Sequence, residues 1–91
     1  MVHYFPDMSK ANIEQLLRKN FDPVHLQVVD ESHLHAGHAG SKEGGHFDVH
    51  IVSTAFEGKK LIERHRMVYA AVAPIKHEIH ALSIKAQAPG E

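Results

Sequence analysis

Ile13, Leu16, Leu17 and Phe21 recur at helical spacing, and Ser9 is placed to cap the segment, so a helix is predicted from Ser9 to about Asn20. Asp22-Pro23 ends it, because a proline pushes the residue before it out of the α region. Leu26, Val28 and Val29 follow in a β-prone run, predicting a short strand over Leu26–Glu31. The pattern lapses between Ser32 and Gly45. This stretch holds four of the six glycines, three histidines and almost no large apolar residue, which predicts an irregular loop too long for a tight hairpin turn. From His46 to Ser53 the chain alternates, with Phe47, Val49 and Ile51 on one face and His46, Asp48 and His50 on the other. That is a half-buried strand, expected to run antiparallel to the first. A turn is predicted at Phe56-Glu57-Gly58. A helix follows from Lys59 to about Ala73, with Leu61, His65, Val68 and Val72 on one face. Pro74 ends or kinks it. Ile79 to Gln87 reads as a third strand, with Leu82 and Ile84 as inward candidates, and Ala88 to Glu91 as a frayed end. The order α-β-β-α-β predicts an α/β (α+β) fold, a three-stranded sheet with both helices packed on one face.

The 91 residues suffice for one domain with one core, and 43% hydrophobic against 23% charged residues is the balance of a folded globular chain. The expected organisation is a flexible N-terminal extension over residues 1–8 and a single domain over residues 9–89. The start has neither the basic nor the apolar region of a secretory signal, and no apolar run is long enough to span a bilayer. A cytoplasmic protein with no membrane association is expected. There is no cysteine, which excludes disulfides and thiolate ligands from this chain. Histidine is the unusual residue, with ten copies on a chain of net charge -1 when they are neutral. Imidazole titrates near pH ~6.5, so mild acid would turn the chain positive. At neutral pH, nucleic-acid binding would need a local basic patch.

Three groups of residues carry candidate chemistry. His33-x-His35-x-x-His38 presents three imidazoles in the glycine-rich loop, and neutral imidazole ligates iron, zinc, copper or nickel. On spacing alone, a metal-binding loop and a solvated polar loop are served equally well. His80 opens the last strand, where a histidine bonded to backbone is the simpler reading of the residues alone. Lys59, Lys60, Arg64 and Arg66 lie on or just before the second helix. They are candidates for a phosphate backbone or an acidic partner, or form an ordinary solvated face. Arg64 and Arg66 are two apart and splay about the helix. His65 falls on the apolar face and is expected to be a structural, hydrogen-bonded histidine. No His-Glu-x-x-His, P-loop, dinucleotide fingerprint or nucleophile elbow is present, so an enzyme is not expected.

Three stretches together resemble the BolA family. They are Val29-Asp30-Glu31-Ser32 leading into the histidine loop, Ser53-Thr54-Ala55-Phe56-Glu57-Gly58 followed by Arg64-His65-Arg66-Met67-Val68-Tyr69, and His80-Ala81-Leu82-Ser83-Ile84. The resemblance covers residues 9–89. It departs from the family at Ala88-Pro89-Gly90-Glu91, which lacks the tryptophan of a Thr-Pro-x-x-Trp tail, and at Pro74, where members continue the helix with acidic residues. It implies a fold similar to the class II KH domain, although Gly58 alone stands where a KH clamp has Gly-x-x-Gly. It also implies a non-enzymatic adaptor in iron–sulfur or iron homeostasis that partners a monothiol glutaredoxin and shares a 2Fe-2S cluster with it. In that reading His35 matches the loop ligand best, with His33 and His38 as alternates, and His80 is the second ligand. The thiolates this chain lacks would come from the glutaredoxin and from glutathione, so the chain would not hold the cluster stably alone. The alternative implied by the family is a DNA-binding transcriptional regulator that grips duplex DNA through Lys59, Lys60, Arg64 and Arg66. Alone, the chain is expected to be a monomer or a weak homodimer.

Overall fold

The computed structural model describes residues 9–31 and 45–91. The elements run α1 (Ser9–Phe21), β1 (His25–Asp30), β2 (Gly45–Val52), a 3-10 turn (Thr54–Phe56), α2 (Leu61–Val72), a second 3-10 turn (Ala73–Glu78) and β3 (Ile79–Gln87). The strands form one sheet in the order β1-β2-β3. β1 and β2 are antiparallel, and β2 and β3 are parallel. The fold is α+β, as the patterning predicts. The expected 1–8 extension and the histidine loop lie outside the described residues.

The core forms where both helices cover the inward face of the sheet. Ile13, Leu16 and Leu17 of α1 and Val68 and Val72 of α2 meet Val28, Phe47, Val49, Ile51 and Leu82. The alternation along β2 is therefore a literal record of which face is dry. α1 ends with Asp22 in the left-handed region at φ 43, its amide returning to the Arg18 carbonyl at 3.1 Å. This αL closure satisfies an otherwise orphaned carbonyl, and Pro23 then prevents continuation. Ser53 ties the end of β2 to the same corner. It is fully buried and its hydroxyl donates to the Phe21 carbonyl at 2.6 Å.

Four expectations are corrected. α2 begins at Leu61 rather than Lys59, because the Lys60 amide donates to the Glu63 carboxylate at 2.8 Å and so marks the helix entry. Leu61, expected on the buried face, is 66% exposed, since the first residue of α2 overhangs the core. His65, expected to be hydrogen-bonded, has a buried Nε2 without a partner. The tail after β3 is not frayed. Ala88 is buried, and Glu91 folds back to accept from the Ala88 amide at 3.1 Å and from Arg64 at 2.6 and 2.9 Å. Among the described residues, no helix is long and apolar enough to cross a membrane.

Candidate metal-ligand site and basic helix

One end of the sheet carries an irregularity that the alternating pattern does not reveal. Gly45 pairs with Ile79 and His46 with Ala81, so β3 spends one extra residue, His80, against a single step of β2. Bulges of this kind re-aim a side chain and gather near functional sites. Here the bulged residue comes beside an imidazole of the neighbouring strand: the rings of His46 and His80 are 4.9 Å apart between centroids, tilted by 33°. His80 is exposed and His46 half-buried. His46 was legible as an outward-facing position at the start of a strand. Its meeting with His80 was not, because it depends on the register of two strands far apart in sequence.

A second imidazole pair lies further along the outer face. His25 of β1 and His50 of β2 are 4.8 Å apart at 62°. His50 Nε2 donates to the Gln87 side-chain oxygen at 2.8 Å, and the strand partner of His50 on β3 is Lys85. The sequence placed His50 on this outward face but offered no signal for the pairing with His25. The loop candidates His33, His35 and His38 fall outside the described residues. No group of three or more histidine, aspartate or glutamate side chains forms a metal cluster among the described residues. His80 and His46 thus offer two imidazoles, a donor type that suits iron as well as zinc or copper, and a closed site would need further ligands.

The basic candidates divide. Lys59, Lys60 and Arg66 are exposed. Arg64 is turned into the fold, with its side chain 12% exposed. Its Nε donates to the Lys59 carbonyl at 2.9 Å, and its Nη1 to the Ala86 carbonyl at 3.0 Å, while both terminal nitrogens grip the Glu91 carboxylate. The hydrogen bonds from Arg64, reinforced by the Ala88 amide, hold the Glu91 carboxyl down to about 2, and the same contact raises the Arg64 guanidinium. Arg64 therefore fastens the tail to α2 and β3. The lysines follow Gly58, which adopts φ 73. That left-handed turn is open to glycine at little cost and strained for other residues. Leu61 and Ile62 stand beside them, 66% and 58% exposed.

The described residues thus form a small α+β domain with an imidazole pair at one end of its sheet and exposed lysines at the entry to α2. The chain belongs to the BolA-like protein family, whose model matches residues 17–91. It is 45% identical over 86 residues to SufE-like protein 1, chloroplastic/mitochondrial, of Arabidopsis thaliana, covering 87% of this chain and 23% of that protein's length. It is 44% identical over 78 residues to the DNA-binding transcriptional regulator BolA of Escherichia coli, covering 85% of this chain and 72% of that one. Among solved structures, the BolA domain of SufE1 from Arabidopsis thaliana superposes with a TM-score of 0.78 at 44% identity, covering 93% of this chain and 96% of the other.

Proposed function

We propose that this chain is a non-enzymatic adaptor that docks a monothiol glutaredoxin and contributes imidazole ligands to a shared 2Fe-2S cluster, in cytoplasmic iron–sulfur or iron homeostasis. The observation that carries the reading is His80, an exposed imidazole aimed by a strand bulge on a chain without cysteine. His80 and a loop histidine, His35 with His33 and His38 as alternates, would hold one side of the cluster. When bound, the cluster supplies an iron–sulfur centre whose reduction potential is raised by replacing two thiolates with two imidazoles. The part played by this chain is to present imidazoles, His80 from the start of β3 and one from the histidine loop; the partner's cysteine and glutathione supply sulfur ligands. The lack of cysteine suits a reducing compartment.

Mixing the chain with a monothiol glutaredoxin, iron, sulfide and glutathione should shift the visible spectrum away from that of the glutaredoxin homodimer and yield a heterocomplex on a sizing column. His80→Ala should remove the shift while leaving the apo complex largely intact. An unchanged spectrum with no complex rejects the reading.

A second reading is favoured by the exposed Lys59, Lys60 and Arg66 around the entry to α2, and by the DNA-binding name of the Escherichia coli relative. Here the chain is a transcriptional regulator that binds duplex DNA through these three cations, with Arg64 committed to Glu91. Binding should weaken steeply with salt, and Lys60→Glu with Arg66→Glu should abolish it. The same affinity in the doubly reversed variant excludes this surface.

A further inference from the structure

We propose that His46 is itself a metal ligand at the His80 site, so that β2 and β3 together form a two-imidazole seat for a first-row transition ion. The iron of a shared cluster as occupant rests on the adaptor reading above; a free divalent ion as occupant does not.

The argument begins with the bulge. Without it, side chains at 46 and 80 would belong to different faces of the pleat, because His46 pairs with Ala81 and successive residues alternate. The extra residue breaks that alternation at one point, and the two rings meet there. Their separation is the next test. A zinc–imidazole bond of about 2.0–2.1 Å puts a ring centroid roughly 3.2 Å from the metal, so two rings on one tetrahedral ion would sit about 5.2 Å apart. The observed 4.9 Å is within a few tenths of that distance. The surroundings also suit a cation, since Asp48 is the next residue on the same face of β2.

The other imidazole pair is a control that the fold supplies. His25 and His50 have nearly the same separation, 4.8 Å. But Lys85 is the cross-strand neighbour of His50, a charge that opposes a second cation. Neither separation nor Asp48, which lies between His46 and His50 on β2, distinguishes the two pairs; the Lys85 charge opposite His50 does, and it favours His46 with His80.

The experiment has two arms on the full chain, each with His46→Asn, His80→Asn and His50→Asn, and amide spectra to check folding. In the first arm the isolated chain is titrated with zinc, and its imidazole nitrogens are followed by NMR. In the second, the cluster spectrum is recorded with monothiol glutaredoxin and glutathione. His46→Asn and His80→Asn should each weaken zinc binding at least about tenfold, the low end of the loss seen even for partners outside the ligand shell, while His50→Asn should not. His46→Asn should also alter the cluster spectrum as His80→Asn does. If His80→Asn changes the cluster spectrum and His46→Asn changes neither arm, His46 is not a ligand and the adaptor reading stands. If both leave the cluster spectrum unchanged, the adaptor reading fails, and zinc alone decides: joint loss in both variants supports the seat, and equal zinc binding in wild type and His46→Asn overturns it. Absence of zinc binding together with an unaltered cluster spectrum in His46→Asn also overturns it.

Discussion

Phe56→Ala is expected to lower the free energy of unfolding by about 3–5 kcal/mol, measured by urea denaturation followed by circular dichroism. Phe56 has no solvent exposure, and its ring lies 5.0 Å from that of Phe21 at 35°. It therefore packs the 3-10 turn after β2 against the last residue of α1. Truncation leaves a cavity between the turn and α1 that the turn cannot fully close, since the Phe56 amide is held to the Ser53 carbonyl at 3.1 Å. A loss below about 1 kcal/mol would show that the turn packs independently of the core, since ordinary surface changes stay within about 0.5 kcal/mol.

Ser53→Ala removes one oxygen and is expected to cost about 1–3 kcal/mol. The Ser53 hydroxyl is fully buried, donates to the Phe21 carbonyl at 2.6 Å and accepts from the Ala55 amide at 3.1 Å. The carbonyl of Phe21 belongs to the last turn of α1, where the helix has no internal donor to offer. Alanine leaves that carbonyl without this hydroxyl donor in a place where water does not readily replace it. The exposed Ser83→Ala should change stability by no more than about 0.5 kcal/mol, and equal effects at the two serines would show that the buried bond contributes nothing.

The two buried contacts separate what local pattern can reveal from what it cannot. The apolar positions of α1 and β2 were readable because each element must turn one face to the core, and a period of 3.6 or 2 marks that face. Leu61 shows the limit. It continued the apolar stripe of α2, but a stripe does not reveal where the covering sheet ends, and Leu61 lies beyond it. The tail shows the same limit at a chain end. Ala88 to Glu91 has the composition of a loose terminus, yet the Glu91 carboxylate finds Arg64, 27 residues earlier. Arg64 for its part looked like one of four equivalent cations, and only the position of Glu91 and the Ala86 carbonyl sets it apart.

The candidate metal site divides in the same way. The donor type was plain from composition: ten imidazoles, no thiolates, and therefore no complete sulfur-ligated site within this chain. The element order and the dry faces were also present in the linear pattern, because burial acts on each residue where it stands. Tertiary structure alone decided that β3 runs parallel to β2, that one residue is bulged between them, and that His80 stands beside His46. Strand register is a contest between whole segments remote in sequence, settled by the packing of Phe47, Val49, Ile51 and Leu82 beneath the sheet, and no period in either segment records its outcome.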